Sequence, residues 1–373
     1  MNLNSGLSDM GLLGKLPRCD SSREGWPWTV ETAPNIYPDK PEWPKISIVT
    51  PSFNQGNFIE ETIRSVLLQN YPSLEYIIQD AGSTDQTSEI IRKYAPWLAH
   101  CSSEKDKGQS DAINKGFSKA RGEIINWINS DDILEPGALF AIGKAFRENQ
   151  GMDFICGKTL QFGTGKPVVL NPSPLQDVRA NLYAFPHPQM SSFYKLMLVK
   201  EVGMIDASLR YSMDYDLFLR LYLSGTMLDI EEPVARFRIH PESKTSTLER
   251  TRLDDDKRIF SRLLNTFRFE SVIQKFDDLG FYKAEEKPYA TKKQISEKDL
   301  DFCLYMFLKT RFYGFQNTEE EEVIWKMLML LEASGLPQAN DIHLSAISRR
   351  LRIKRIAGMP GRIWKRLQNK RNN

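Results

Sequence analysis

The sequence predicts an α/β protein with a mainly parallel central sheet and a helical C-terminal appendage. Between residues 46 and 132, short apolar segments alternate with segments whose apolar residues recur at helical spacing. Strands joined by single helices pair in parallel with right-handed crossovers, and helices cover both faces of such a sheet. Polar clusters follow four of the strands, at the carboxyl ends where sheets of this kind bind their ligands.

The elements follow in order from residue 46. Ile46 to Pro51 is predicted to be the first strand, and Asn57 and Glu60 have the spacing of a capping box before the first helix. The next predicted elements are a strand over 74–80, a helix over 87–94, a strand over 98–102, a helix over 110–120 and a strand that enters Asp131. Further on, a helix is predicted within Tyr211–Arg220, and the alternation in Arg236–His240 predicts a half-buried strand.

The four polar clusters indicate a binding crevice. They are Thr50–Asn54, Asp80–Asp85, Asp106–Asp111 and Asn129–Asp132. Helix amino termini in such a crevice favour an anion, whereas carboxylates repel one unless a metal intervenes or they accept from a base or ribose. A nucleotide diphosphate with a metal satisfies both conditions, although any one cluster alone is also ordinary turn chemistry.

Asp131 and Asp132 directly follow an apolar strand. Two adjacent ionised carboxylates repel each other, and a hard divalent cation such as Mg²⁺ or Mn²⁺ neutralises them. The alternative is a turn in which the acids cap the next helix, and for an isolated pair that alternative is the more common one.

Taken together, the motifs resemble glycosyltransferase family 2, the inverting nucleotide-sugar glycosyltransferases with the GT-A (nucleotide-diphospho-sugar transferase) fold. The resemblance covers about residues 24 to 247. It is carried by Gly25–Trp28, Ile48–Gln55, Asp80–Asp85, Asp111–Gly116, Asn129–Asp132, Asp214–Asp216 and Arg238–His240. Two positions depart from the usual pattern. Ala81 replaces a glycine, which is tolerable, and Asn129 replaces an aspartate. Because Asn129 removes one formal charge from the metal motif, we expect weaker but not abolished metal binding.

The resemblance implies roles for particular residues. Those implied for the nucleotide-sugar are Pro51, Ser52, Phe53, Asn54, Asp80, Ser83, Asp85, Lys107, Asp111 and Asp131. Asp132 and His240 are implied as metal ligands, and His187 and Gln189 as acceptor contacts. Without the family, a lone histidine is more often a structural residue than a ligand.

Asp214 is the candidate catalytic base. It lies with Asp216 in the first turn of the predicted helix, where acids also occur simply because they complement the helix dipole. The resemblance implies that Asp214 deprotonates the acceptor hydroxyl and that Asp216 has a structural role.

Composition is that of a chain with an ample core. Of 373 residues, 41% are hydrophobic and 26% are charged, and no apolar stretch approaches the ~20 residues of a membrane span. Four scattered cysteines predict neither a zinc site nor a disulfide framework, and the N-terminal residues lack a secretory pattern. The expected location is therefore cytoplasmic.

Four regions are predicted. They are an extended arm over 1–44 with Trp26–Trp28 packed on the domain, a catalytic domain over 45–250, a helical region over 251–341 and a basic tail over 342–373. In the helical region, Phe302, Tyr305, Met306 and Lys309 mark one candidate buried face, and Val323, Ile324, Met327, Leu328 and Leu331 mark another.

The basic tail differs in charge from the rest of the chain. It holds ten Lys or Arg and no acid, whereas the other residues carry 40 Lys or Arg against 48 Asp or Glu. Interspersed apolar residues suit an anionic membrane surface, with a solvated terminus as the alternative. Nucleic-acid binding is not expected, because no recognition module accompanies the charge.

Three functions are weighed. The leading one is a metal-dependent inverting glycosyltransferase that uses a nucleotide-diphospho-sugar, with uridine the expected base and guanosine or thymidine open, and extends a glycan or lipid-linked acceptor in surface polysaccharide synthesis. A sugar nucleotidyltransferase would carry a Gly-rich basic loop after the first strand, and Thr50–Asn54 is not such a loop. A catalytically silent relative is the third, suggested by Ala81 and Asn129.

Overall fold

The computed structural model describes residues 11–37, 42–172, 178–184, 187–241 and 249–334. The described residues form two compact units, one of those up to residue 255 together with 289–294, and the other of 256–288 together with those from 295 onward. Every predicted site residue belongs to the first unit. The predicted basic tail lies outside the described residues, and the predicted limits of the regions stay predictions.

Nine strands of the described residues form one sheet in the first unit. They are β1 (Ile46–Ser52), β2 (Leu74–Asp80), β3 (His100–Ser103), β4 (Ile124–Trp127), β5 (Ile133–Leu134), β6 (Phe154–Gly163), β7 (Val168–Leu170), β8 (Ser192–Lys195) and β9 (Met227–Ile239). Their order is β3-β2-β1-β4-β8-β6-β9-β5, with β7 paired to β6. Strands β1 to β4 are parallel, whereas β8 runs antiparallel to both β4 and β6. The predicted α/β class and its parallel half are confirmed.

The helices of the first unit connect or cover these strands. They are α1 (Ile59–Leu67), α2 (Thr87–Tyr94), α3 (Gln109–Lys119), α4 (Ala138–Glu148), α5 (Val178–Tyr183), α6 (Leu196–Glu201) and α7 (Met213–Ser224). A further helix, α8 (Glu249–Phe267), leads into the second unit. The bounds of β2 and α2 are those predicted.

Two predicted strands are shorter in the structure. The third begins at His100, because the N–H of Leu98 closes a 3₁₀ turn on the carbonyl of Ala95. The fourth ends at Trp127 and does not run into Asp131, because the N–H of Asp132 turns back to the carbonyl of Asn129. The acids therefore stand on a turn beyond the strand.

The capping box predicted for α1 does not form. The N-cap position is Phe58, which makes no side-chain cap hydrogen bond, and its N–H bonds to the carbonyl of Gln55. Glu60 instead accepts a hydrogen bond from the hydroxyl of Tyr94 at 3.0 Å, so a tertiary contact has replaced the local one.

The described part of the N-terminal arm packs on α1, as predicted for Trp26–Trp28. Arg64 is 2% exposed, and its guanidinium donates to the carbonyls of Pro27 and Trp28, each at 3.0 Å. The indole of Trp26 donates to the carbonyl of Leu134 at 2.8 Å. A buried arginine with these acceptors ties the arm to the domain.

The second unit is helical. Its helices besides α8 are α9 (Glu270–Asp277), α10 (Glu297–Thr318) and α11 (Glu321–Ala333). Phe260 and Phe307 lie at its centre with ring centroids 4.4 Å apart. The face predicted for α11 is buried except for Val323. Of the face predicted for α10, Tyr305 is buried, whereas Phe302, Met306 and Lys309 are only partly buried, because the helix turns Cys303, Leu304, Phe307 and Leu308 into the core. No helix within the described ranges is both long and apolar enough to cross a membrane.

Candidate active site

A cavity of about 970 Å³ opens at the carboxyl ends of β1, β2 and β4. Ser52 from β1, Asp131 from the turn after β4, Asp214 from α7 and His240 after β9 all line it. The volume lies at the upper end of the range for small-molecule sites, which leaves room for two substrates. The position agrees with the crevice predicted from the four polar clusters.

Two loops at one side of the cavity are joined to each other. The N–H of Asn54 donates to the hydroxyl of Ser83 at 2.8 Å, and the N–H of Gly56 donates to Asp85 at 2.9 Å. Asn54 has a φ of 54°, a left-handed conformation that asparagine adopts more readily than most residues. Asn54, Ser83 and Asp85 therefore connect the loops to each other. The neighbouring Pro51, Ser52 and Phe53 line the cavity itself. Pro51, Ser52 and Phe53 are among the residues that the resemblance assigned to the nucleotide-sugar.

Asp80 lies behind these loops and not in the cavity wall. It is buried, and its carboxylate accepts from the N–H of Ser83 at 3.0 Å and from the hydroxyls of Ser88 and Ser103. The lining residues do not include it. In the structure, Asp80 therefore accepts hydrogen bonds from protein groups, whereas the resemblance implied that it contacts the nucleotide-sugar.

Two buried polar atoms at this side have no hydrogen-bond partner among the described residues. They are Oγ of Ser52 and Oε1 of Gln55, and both residues line the cavity. A buried polar atom without a partner costs free energy, which a ligand group recovers when it binds. Phe53 is 57% exposed beside them and offers an aromatic face. Gln55 stood in the motif that carried the resemblance, although no role was predicted for it.

Lys107 lies in the loop before α3 and Asp111 in the first turn of α3, and neither lines the cavity. The N–H of Lys107 donates to Asp111 at 3.1 Å, and Lys115 pairs with the same carboxylate at 3.2 Å. The hydrogen bond from Lys107 lowers the pKa of Asp111, and Lys115 lowers it further. Lys105, Asp106, Gly108 and Gln109 line the cavity here. The last three belong to the predicted polar cluster without an assigned role, whereas Lys105 was not predicted, and only its nearness to that cluster could have indicated it.

The two adjacent acids point in different directions. Asp131 lines the cavity, whereas Asp132 is 0% exposed and does not. Asp132 accepts from the N–H of Arg238 at 3.1 Å and from the amide of Asn129 at 3.2 Å. Burial raises the pKa of Asp132 well above its usual value, and the charge of Asp131 adds to the rise. Asp131 is therefore the acid at the cavity, whereas the resemblance implied Asp132 as the metal ligand.

His240 meets Asp131 at the cavity wall. Its Nε2 lies 3.1 Å from Oδ2 of Asp131, and its ring packs on Phe58 with centroids 4.7 Å apart. Arg238, two residues earlier, donates to the carbonyl of Asp131 at 2.9 Å and pairs with Glu61 at 2.6 Å. The end of β9 therefore holds both side chains in place.

The pair of Asp131 and His240 fits a divalent cation. Two neighbouring ligands of an octahedral Mg²⁺ or Mn²⁺ lie about 3 Å apart, since each is about 2.1 Å from the metal. Among the described residues, no three His, Cys, Asp or Glu side chains form a cluster that could hold a metal alone. Cations of this class commonly take only one or two protein ligands and complete their shell with substrate phosphates and water.

Asp214 lies in the first turn of α7 and lines the same cavity as Asp131 and His240. Its Oδ1 accepts from the N–H of Tyr215 at 2.9 Å. Asp216 is fully buried, pairs with Arg220 at 2.6 Å and accepts from the hydroxyl of Tyr289 at 2.8 Å. The contacts of Asp216 agree with the structural role predicted for it, and Asp214 is the acid of this turn that faces the cavity.

The two predicted acceptor contacts separate. His187 is fully buried outside the lining, with Nε2 3.2 Å from Asp229 and its ring stacked on Phe218. Gln189 lines the cavity, and its amide nitrogen donates to the carbonyl of Trp127 at 2.7 Å. Of the two, only Gln189 is placed to contact a ligand.

The comparisons with known proteins agree with one another. The model of glycosyl transferase family 2 matches residues 47–194. An uncharacterised glycosyltransferase of Rickettsia typhi is 24% identical over 307 residues, which cover 76% of this chain and 96% of the relative. A putative teichuronic acid biosynthesis glycosyltransferase of Bacillus subtilis, TuaG, is 37% identical over 92 residues, 24% of this chain and 36% of that protein.

A solved structure supports the fold. The structure of residues 1–349 of S. aureus TarS in complex with UDP-GlcNAc superposes with a TM-score of 0.56 at 19% identity, covering 78% of this chain and 80% of that fragment. At that identity the likeness concerns the fold, which is the GT-A fold expected from the motifs.

Proposed function

Because the chain is a family 2 glycosyltransferase with the GT-A fold, we propose that it moves a sugar from a nucleotide-diphospho-sugar to a hydroxyl of a glycan or lipid-linked acceptor. The transfer inverts the anomeric centre and depends on Mn²⁺ or Mg²⁺. The relative TuaG supports a place in polysaccharide biosynthesis.

One observation carries the proposal. Asp131, His240 and Asp214 line the same cavity as Ser52 and Gln55, whose buried oxygen atoms have no partner among the described residues. A nucleotide contacts Ser52 and Gln55, with its base on the exposed face of Phe53, and its diphosphate extends toward Asp131 and His240. Asp214 remains for the chemistry.

The residues of this chain divide the reaction between them. Asp214 accepts the proton of the acceptor hydroxyl while the oxygen attacks the anomeric carbon, and the bond from that carbon to the diphosphate oxygen breaks on the opposite face. Asp131 and His240 would hold the cation, whose positive charge would stabilise the diphosphate as it leaves. Asp132 takes no part in this and positions the turn that carries Asp131.

UDP is the nucleotide we propose first. TarS, which shares the fold, was solved with UDP-GlcNAc, and uridine is also the base expected from the resemblance. Guanosine and thymidine diphosphates are the alternatives. We further propose that the protein works in the cytoplasm against the inner membrane surface, with the basic residues 342–373 as the contact.

Two measurements test the proposal. Thermal shift with UDP, GDP and TDP, each with and without Mn²⁺, should give one nucleotide whose stabilisation requires the metal. NMR of the product formed with the corresponding nucleotide sugar should show the anomeric configuration opposite to that of the donor. Retention of configuration would overturn the assignment of Asp214 as a base, and stabilisation that ignores the metal would overturn the cation site.

A further inference from the structure

Asp255 binds the segment that leads into α7. Its Oδ2 accepts the backbone N–H groups of three consecutive residues, Arg210 at 2.9 Å, Tyr211 at 2.6 Å and Ser212 at 3.2 Å. The carboxylate comes from α8, more than forty residues further along the chain, and is only 5% exposed. One buried anion thus fixes three successive peptide groups.

The N-cap residue of α7 does not cap the helix with its own side chain. Ser212 occupies the N-cap position of α7 and makes no side-chain cap hydrogen bond. The N–H groups at a helix start need acceptors, and an anion there also complements the helix dipole. Asp255 accepts the N–H of the N-cap residue and of the two residues before it, and it places a negative charge at the helix start.

Two further hydrogen bonds of α7 involve residues within the helix. The hydroxyl of Ser110 contacts the sulfur of Met213 at 2.8 Å, and the hydroxyl of Tyr215 donates to the carbonyl of Leu182 at 2.6 Å. These contacts fix the body of the helix. The bonds to Asp255 fix the residues that precede it, where Tyr211 enters the cavity lining just before Asp214.

We infer that Asp255 is a positioning residue for the catalytic base. It does not line the cavity and touches no substrate. It holds the Arg210–Ser212 backbone so that Tyr211 and the carboxylate of Asp214 face the acceptor. The inference rests on the proposed function, because it assigns Asp255 to the step in which Asp214 takes a proton.

The test is Asp255→Asn, which keeps an oxygen acceptor of the same size but removes the charge and replaces one oxygen with a donor. We expect Asp255→Asn to lower kcat for transfer about 10-fold. Asp255→Ala should lower it about 100-fold, which is the loss expected when a reacting group is misplaced by about 1 Å. The KM for the nucleotide sugar and the Kd of the nucleoside diphosphate should stay within about twofold of the wild-type values, because Ser52 and Gln55 lie on other elements.

Asp206→Asn is the matched control. Asp206 precedes the same segment and accepts the N–H of Ser208 at 2.8 Å but none of those of Arg210–Ser212, which bond to Asp255, so the identical substitution should leave kcat unchanged. If Asp255→Ala does not fold, the asparagine variant still decides the matter.

Four outcomes separate the possibilities. A wild-type kcat in folded Asp255→Asn would overturn the inference, and so would a drop in kcat matched by an equal loss of nucleotide affinity, which is what general loosening of the fold would give. A wild-type enzyme that binds nucleotide but transfers no sugar to any acceptor would contradict the proposed function first. A selective fall in kcat supports the inference.

Discussion

Oδ2 of Asp131 and Nε2 of His240 lie 3.1 Å apart, although 109 positions separate the two residues in the chain. The turn after β4 supplies one and the end of β9 supplies the other, and Arg238 of β9 donates to both acids of the turn. Because both side chains also line the cavity, their contact is the structural basis for the cation site that we propose.

Removing either side chain should weaken metal-dependent nucleotide binding. We expect Asp131→Asn to lower kcat/KM about 10² to 10³-fold, since one electrostatic partner of the leaving group is lost. His240→Ala should act in the same direction. Calorimetry of the nucleoside diphosphate across a range of Mn²⁺ concentrations measures the effect.

Asp132→Asn gives the contrast to these variants. Asp132 is buried and bonded to Arg238 and Asn129, so its replacement should lower the melting temperature more than the Mn²⁺ affinity. If Asp132→Asn abolishes Mn²⁺ dependence in a folded protein while Asp131→Asn does not, the assignment of the two acids is reversed.

Asp214 and Asp216 offer a matched pair on one helix turn. Asp214→Asn should lower kcat by about 10² to 10⁴-fold with unchanged nucleotide affinity and melting temperature, because only the general base is lost. Asp216→Asn should instead destabilise the protein by about 3–5 kcal/mol, since it leaves Arg220 without its buried partner. Steady-state kinetics and denaturant unfolding of both variants check this, and equal loss of activity with no change in stability for the two would contradict it.

The serine at the end of β1 gives a different kind of prediction. Oγ of Ser52 is buried and has no hydrogen-bond partner among the described residues, so Ser52→Ala should leave the stability of the unliganded protein unchanged or slightly higher. The same variant should bind the nucleoside diphosphate about 3- to 10-fold more weakly, because one hydrogen bond contributes about 1 kcal/mol. Unfolding and titration of the same sample test both halves, and an unaltered nucleotide affinity would remove Ser52 from the site.

Periodicity was enough to predict the elements that form the parallel half of the sheet. The alternation of strands and helices from Ile46 to Asp131 specifies which segments pair in parallel, and the carboxyl ends follow from that. The polar residues after β1 and β4 therefore fall at the cavity as expected. The acceptor side was harder, because β8 and β9 join the sheet out of sequence order and only the structure brings His240 to Asp131.

The sequence could not predict which individual side chains face the cavity. Neighbouring residues on a turn, such as Asp131 and Asp132, have the same chemistry, and which one faces the cavity depends on the hydrogen bonds that Arg238 makes from a distant strand. His187 looked like a ligand contact, yet Asp229 and Phe218 enclose it. Such tertiary partners leave no local pattern in the sequence.

The second unit contains a carboxylate whose effect on stability should depend on pH. Burial tends to raise the pKa of Glu286, but hydrogen bonds from Arg258 and Arg262 outweigh it, and the net shift is downward. A lowered folded pKa adds stability above the unfolded value of about 4.3, and that stability is lost as the pH falls through the folded pKa.

Glu286→Gln should therefore be less stable than the wild type at pH 7, and the difference should shrink as the pH falls from about 5 to 3. Urea unfolding across that range measures it. Glu285→Gln, at the adjacent exposed position, is the control and should show no such trend. A difference that grows as the pH falls would contradict the direction of the shift.

The basic tail gives the last prediction, from sequence alone, because residues 342–373 lie outside the described residues. Each Lys or Arg near an anionic bilayer contributes about 1 kcal/mol, so its ten basic residues with Ile363, Trp364 and Leu367 among them should bind acidic vesicles. In sedimentation with vesicles that contain phosphatidylserine, the full chain should pellet and a chain ending at residue 341 should not. Raised salt or vesicles of phosphatidylcholine alone should release the full chain, since the attraction is screened or absent. Equal partitioning of the two chains would remove the membrane contact from the proposal and leave the catalytic site unaffected.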